Sequence, residues 1–330
     1  MGFEAFYSQR SNASGGLGFI GPSAKTQDTL LDLREASALV PKTNLFSSFV
    51  PSSDQVLPVG IGFQLWCDDI QVAADSVKEF KPCAAWLYAP RNGQKDLDKW
   101  SLKIRTASPQ TQIWIQIGTL AEVKELLRGS QLPDVIVVQG SESGGHGRTK
   151  DGLGLISLLP EVADVTEGSQ IPLVAAGGIA DGRGAAAALC LGASGIAMGT
   201  RFLAATETRI SRGYQNEVVR ANDGAVNTTR TLLYNHLRGT FGWPEGYSPR
   251  TIINKSYEEQ RAGVPFEELK KRHEEAQKAG DSGWGPDGRL ATYAGASIGL
   301  VREVKDAAAI VDEVQKSTLR IFTGLTSGIV

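Results

Sequence analysis

The run PLVAAGGIADGRGAAAALCLGASGIAMGT, residues 172–200, carries the unit from which the fold is read. Leu173–Ala176 is apolar throughout, Gly177 and Gly178 interrupt it, Asp181 opens an alanine-rich stretch, and Gly195–Met198 is apolar again. Short continuous apolar runs suit strands buried on both faces, and the segment between them is long enough to cross to a parallel neighbour. Working outward, LGFIG, LPVGIGF, AAWLYA, QIWIQIG and DVIVVQG read as five earlier strands, which makes seven candidates with PLVAAGG and GIAMGT. Between them TQDTLLDLREASALV, DDIQVAADSVKEF, DLDKWSLKIRTA and LAEVKELLRGS have the length and polarity of helices. Repeated βα units mean a parallel α/β sheet, either a TIM (β/α)8-type barrel or an open doubly wound sheet. Periodicity does not choose between them.

From Glu207 the pattern changes. ETRISRGYQNEVVRAN, TTRTLLYNHLRG and SYEEQRAGVPFEELKKRHEEAQKAG read as helices, joined by the Gly/Pro-rich links FGWPEGYSP and GDSGWGPDG. The tail VREVKDAAAIVDEVQKSTLRIF reads as a helix that packs back on the main body. This divides the chain into an α/β body over 1–206, a smaller helical cap over 207–289 and a returning segment over 290–330. Trp243, Tyr247 and Trp284 either line a pocket under the cap or pack the cap onto its base.

Composition narrows the function. The 330 residues are 41% hydrophobic and 21% charged, enough apolar material for a large core and too much for a disordered chain. Lys plus Arg number 34 against 36 for Asp plus Glu, so no global positive field exists to hold nucleic acid or an anionic membrane, and any anion is bound locally. Cys67, Cys83 and Cys190 stand singly without metal-ligand spacing, which argues against a zinc site or a disulfide framework and for a reducing, cytoplasmic setting. No apolar run approaches the roughly 20 residues of a membrane span, and MGFEAFYSQR lacks the features of a signal peptide. The N-x-S/T triplets at Asn12, Asn227 and Asn254 are then chance matches.

Three motifs carry chemistry. Gly16-Leu17-Gly18-Phe19-Ile20-Gly21 spells a dinucleotide fingerprint but has its strand after the first glycines, so a tight turn into a strand is the better reading. Val137–Arg148, VVQGSESGGHGR, is a strand ending in a glycine-rich loop that carries His146. At the C-terminal end of a barrel strand that loop belongs to the catalytic face, where glycines admit a flat ligand and His146 takes or holds a proton near neutral pH. His236 and His273 read as surface residues, and His273-Glu274-Glu275 lacks the second histidine of a helical metal site, so no metal is expected. The loops at Gly177-Gly178 and Gly199-Thr200 follow the last two strands, an arrangement that exposes amides to a phosphate beside a helix N-terminus. The competing reading is that these glycines only allow close packing.

VVQGSESGGHGR followed by PLVAAGGIADGRGAAAALCLGASGIAMGTRFLAATE resembles the nitronate monooxygenase family, once called 2-nitropropane dioxygenases, and the match runs from SNASGGLGFIG to YAGASIGLV. The resemblance implies an FMN-binding TIM barrel with a helical insertion. It implies that Gln139 and Gly144 touch the flavin, that Gly177, Gly178, Gly199 and Thr200 hold its phosphate, and that Gln64 stands where the family has a flavin-contacting Asn. His146 matches the catalytic histidine. The implied reaction oxidises an alkyl nitronate with O2 to a carbonyl compound and nitrite, and His146 is the base if a neutral nitroalkane is accepted. The rival readings are an NAD(P)H-dependent flavin reductase acting on quinones or enoyl thioesters, and a non-catalytic barrel that has lost FMN. The sequence starts inside the helix that follows the family's first strand, so seven strands are expected: the barrel is open there, patched by another segment, or completed by a second chain in a homodimer.

Overall fold

The computed structural model describes residues 15–22, 25–39 and 56–327. The reading of residues 1–10 as the end of a helix and the Asn12 triplet lie outside them. In chain order the elements are β1 (Phe19–Ile20), α1 (Thr26–Leu39), β2 (Leu57–Gln64), α2 (Ile70–Phe80), β3 (Pro82–Tyr88), α3 (Gln94–Ala107), β4 (Gln112–Ile117), α4 (Leu120–Leu126), β5 (Val135–Gln139), β6 (Gly145–Arg148), α5 (Leu155–Thr166), β7 (Leu173–Ala176), α6 (Gly182–Cys190) and β8 (Gly195–Ala197). There follow α7 (Thr200–Leu203), α8 (Arg212–Arg220), α9 (Gly224–Asn227), β9 (Thr228–Arg230), α10 (Leu233–Leu237), β10 (Tyr247–Ile252), α11 (Lys255–Arg261), α12 (Phe266–Lys278) and α13 (Ala307–Ser327).

All seven strands expected from the apolar runs form one sheet in the order β1-β2-β3-β4-β5-β7-β8, each pairing parallel. The sheet curls as a TIM-type barrel, and among the described residues β1 and β8 each pair on one side. Alternation along the strands sorts the side chains. Ile61, Phe63, Leu87, Ile113, Ile115, Ile136 and Val138 face the helices and form one core with Val77, Trp100, Ile104, Val123, Leu158 and Val162. The other set, Val135, Val137, Val174 and Ala176 with Trp86 and Trp114, fills the concave face. Phe19 closes that layer with its ring centroid 4.8 Å from Trp114, and Gly60 is glycine because a Cβ there would overlap the Phe19 ring.

The crossover helices start where the sequence supplies caps. Asp69 accepts from the Gln71 and Val72 amides ahead of α2, Thr119 and Glu122 form a reciprocal capping box ahead of α4, and Asp181 accepts from the Arg183 and Gly184 amides ahead of α6. Each cap contributes roughly 1 kcal/mol and sets the phase of its helix against the sheet. At the far end α13 lies on α6, where the Thr318 hydroxyl is 3.4 Å from Gly182 O.

The cap departs from the expected all-helical form. Gly145–Arg148, Tyr247–Ile252 and Thr228–Arg230 make a second, antiparallel sheet in the order β6-β10-β9. The first residues of TTRTLLYNHLRG are therefore strand, part of the FGWPEGYSP link leads into one, and the loop bearing His146 ends in one. These segments are short and polar and carry Pro249, so their strand character comes from pairing with one another. His273 is also corrected: it is 1% exposed, with Nδ1 3.3 Å from Arg289 O. Trp284 packs on Tyr214 at 6.2 Å between centroids, against a cluster that includes Leu203, Ala204, Val218 and Ile298.

Candidate active site

β5 ends at Gln139, and the chain then turns through Gly140–Gly144 into β6, where His146 stands opposite Pro249 of β10. Gly145 takes φ +66°, a left-handed conformation natural to glycine. The turn is fastened by arginines. Arg230 donates to Gly145 O at 3.1 Å, Ser248 O at 2.6 Å, Ser141 O at 3.1 Å and Ser143 O at 3.0 Å, and Arg250 donates to Ser141 O at 3.1 Å. A guanidinium suits this work because its donors lie in a rigid plane and reach several carbonyls at once. On the other side the Ala296 amide donates to Glu142 O at 2.8 Å, and the Glu142 carboxylate accepts from the Leu155 amide at 3.0 Å.

The His146 imidazole lies between Trp243 and Asn235. It stacks on the Trp243 indole at 3.5 Å between centroids with 7° between planes, and its Nε2 is 3.0 Å from Asn235 Nδ2. Burial holds its pKa well below the usual 6.5, the Arg238 and Arg230 charges lower it further, and the Asn235 hydrogen bond offsets part of this. Arg230, Arg238 and Arg250 form no ion pair among the described residues. Burial and the neighbouring Arg250 lower Arg230 to about 10, with Glu142 acting in the opposite sense. The site thus presents a neutral imidazole beside an excess of positive charge, three guanidinium groups that the Glu142 carboxylate offsets only in part, an environment that favours an anionic ligand.

The remaining candidates line the C-terminal ends of the same parallel strands. Gln64 ends β2, and its Oε1 accepts from Trp66 Nε1 at 3.1 Å; Trp66 in turn packs on Trp243 at 4.8 Å. Gln139 donates from Nε2 to His146 O at 3.3 Å. Gly144 backs onto Gly295, whose amide donates to the Thr200 hydroxyl oxygen at 2.9 Å, so Gly295 joins the loops that follow β5 and β8. Gly177 and Gly178 adopt φ +96° and +75° after β7. The first amides of α6, those of Arg183 and Gly184, are taken by Asp181. The N–H groups of Gly178, Gly199 and Thr200, in contrast, donate to no acceptor among the described residues.

Beside Trp243 the rim opens into a cavity of about 420 Å³ lined by Arg91, Glu122, Arg148, Trp243 and Tyr247. Arg148 is neutralised there by Asp151 and Glu122 and lies 5.2 Å over the Tyr247 ring. Sequence reading singled out His146 and the glycine loops as candidates but not Asn235, Arg230, Arg238 or Arg250. Their only signal is polar residues in otherwise buried short elements, and that pattern does not reveal a partner up to 109 residues away.

The architecture is shared with solved structures of other proteins. FabK from Thermotoga maritima matches with a TM-score of 0.72 at 24% identity, over 100% of this chain and 94% of that one. A nitroalkane oxidase from Streptomyces ansochromogenes matches at 0.69 and 21%, over 96% and 93%. These likenesses define a barrel-type enzyme fold. The chain belongs to the nitronate monooxygenase family, whose model matches residues 100–316. A nitronate monooxygenase of Metarhizium robertsii, npaC, is 56% identical over 96% of this chain and 88% of its own length. One of Neurospora crassa is 34% identical over 72% of this chain and 64% of its own. The protein is accordingly an oxidoreductase, and the family implies a flavin.

Proposed function

We propose that this protein is an FMN-dependent oxidoreductase that oxidises alkyl nitronates with O2 to carbonyl compounds and nitrite. The observation that carries the reading is the neutral His146 ring set beside the Arg230 and Arg238 guanidinium groups, neither of which forms an ion pair among the described residues. A nitronate is an anion with two oxygens, and this environment stabilises it without a prior proton transfer.

The residues present fit the cofactor. Three main-chain N–H groups, of Gly178, Gly199 and Thr200, face no acceptor among the described residues, and a Cβ at Gly199 would meet nothing within 4 Å, so a phosphate has both donors and room. Gly177 supplies the turn that aims this cradle. Gln64 and Gln139 border the ring with amides that donate and accept, and Gly144 does so with backbone. When bound, the flavin supplies the electron transfer from substrate to oxygen. His146 holds the nitronate oxygens, the arginine-fastened turn fixes the distance, and residues 207–289 act as the roof that excludes water through Trp243.

An absorption titration of the purified protein with FMN, followed by nitronate turnover under air, tests the reading. We expect flavin uptake, nitrite release, and a roughly 10²-fold lower kcat/KM in His146→Ala. Absence of flavin uptake, or turnover of NAD(P)H with none of nitronate, would overturn it.

A further inference from the structure

The partner of His146 has chemical consequences that its position alone does not have. Asn235 is 2% exposed, and its backbone is pinned: its carbonyl accepts from the Thr240 amide at 2.8 Å and the Arg238 amide at 3.2 Å. Its side-chain amide has one strong engagement, the 3.0 Å contact from Nδ2 to His146 Nε2, while its Oδ1 is buried without a partner among the described residues. An amide nitrogen only donates, so His146 Nε2 is the acceptor and carries a lone pair. A neutral imidazole has a single ring proton, which must then reside on Nδ1. Nδ1 makes no hydrogen bond to the described residues and is the nitrogen left for a ligand.

We propose that Asn235 is a positioning residue that locks His146 in the Nδ1–H tautomer, so that the ring offers a hydrogen-bond donor to an anionic nitronate and no lone pair to a carbon acid. The inference rests on the assignment of His146 to the reacting centre. It makes the protein selective for the nitronate over the corresponding neutral nitroalkane. The charged and titratable groups around the ring reinforce the lock: Arg230 from β9, Arg238 after α10 and the Tyr293 hydroxyl, which accepts from Arg238, supply no carboxylate that would stabilise a proton on Nε2.

The test is nitrogen NMR of the FMN-loaded protein with ¹⁵N-labelled histidine, which is tractable because the chain has three histidines and His146→Gln assigns the signal. Wild-type protein at pH 7.5 is expected to show the Nδ1–H form of neutral His146. In Asn235→Asp, which is isosteric, the carboxylate accepts from Nε2–H; the tautomer reverses and the titration midpoint rises by about one pH unit or more. Nδ1 then has a lone pair able to take the α-proton of a nitroalkane, leaving the nitronate, so the nitroalkane-to-nitronate ratio of kcat/KM rises about tenfold. Asn235→Leu is expected to show both tautomers and a ratio between those of the wild type and Asn235→Asp. A proton on Nε2 in the wild type overturns the proposal without any variant having to fold, as does an unaltered tautomer in Asn235→Asp. If His146→Ala turns over nitronate normally while the tautomer is as stated, it is the functional assignment that fails and the lock that stands.

Discussion

The imidazole of His146 lies flat on the indole of Trp243, 3.5 Å between ring centroids and 7° from parallel, although the two residues are far apart in the chain. His146 is set by β6 and Trp243 by the stretch between α10 and β10, which has glycines of positive φ at 239, 242 and 246. The stack therefore couples the roof to the turn beneath it, and its geometry decides how the ring meets a ligand.

Removing the indole should loosen the ring. Trp243→Ala is expected to lower kcat/KM for nitronate about three- to tenfold, in line with ~0.5–1.5 kcal/mol for an aromatic pair, while Trp243→Phe keeps most of the activity. Steady-state kinetics of both variants check this; an Ala variant as active as the Phe variant would remove the stack from the mechanism.

Stability should fall on acidification. Burial lowers the pKa of both His146 and His273 below 6.5, so as pH drops below that value the unfolded chain takes up protons that the native one refuses. The native state is then disfavoured by about 1.4 kcal/mol per pH unit per histidine until the native values are reached, and the contribution is fully recovered above about pH 7.5. Urea midpoints between pH 8 and 5 should show the slope, and His273→Gln should reduce it.

Arg230 holds four carbonyls of two segments together, so Arg230→Met should destabilise the fold by about 2 kcal/mol. Arg230→Lys should recover less than half of this, because an ammonium cannot span the same carbonyls. Denaturant unfolding gives the magnitude, and faster amide exchange at residues 141–145 would locate it.

Gly199 separates cofactor binding from packing. Its φ is −105° and a Cβ meets nothing, so Gly199→Asp should leave the melting temperature of the FMN-free protein within about 2 °C of wild type. Its carboxylate would repel a phosphate, and FMN affinity measured by fluorescence quenching should fall at least roughly tenfold. Unchanged affinity would move the phosphate elsewhere.

The seven parallel strands were legible because they are short, largely apolar runs, of which β2, β5 and β7 are buried almost throughout, and the crossover helices because Asp69, Thr119 and Asp181 announce their starts. The second sheet was not legible. GHGR, TTR and YSPRTI have neither alternation nor apolar content and become strands by pairing across as many as 105 residues, as between Arg250 and Gly145. His146 and the glycine loops stood out because glycine is tied to backbone geometry that composition exposes. Asn235 and the arginines did not, because a polar side chain in a short helix or strand looks the same whether it faces water or an imidazole.

Sequence by itself determined the parallel barrel-type sheet and singled out His146 and the glycine loops as candidates, since apolar period, caps and glycine breaks are local properties of the chain. Tertiary structure alone decided the burial of that imidazole, its contact with Asn235, the guanidinium groups near it and the Trp243 indole stacked on it. Those depend on burial and on distances between residues far apart in the chain, and distance across a fold is not written in any one segment.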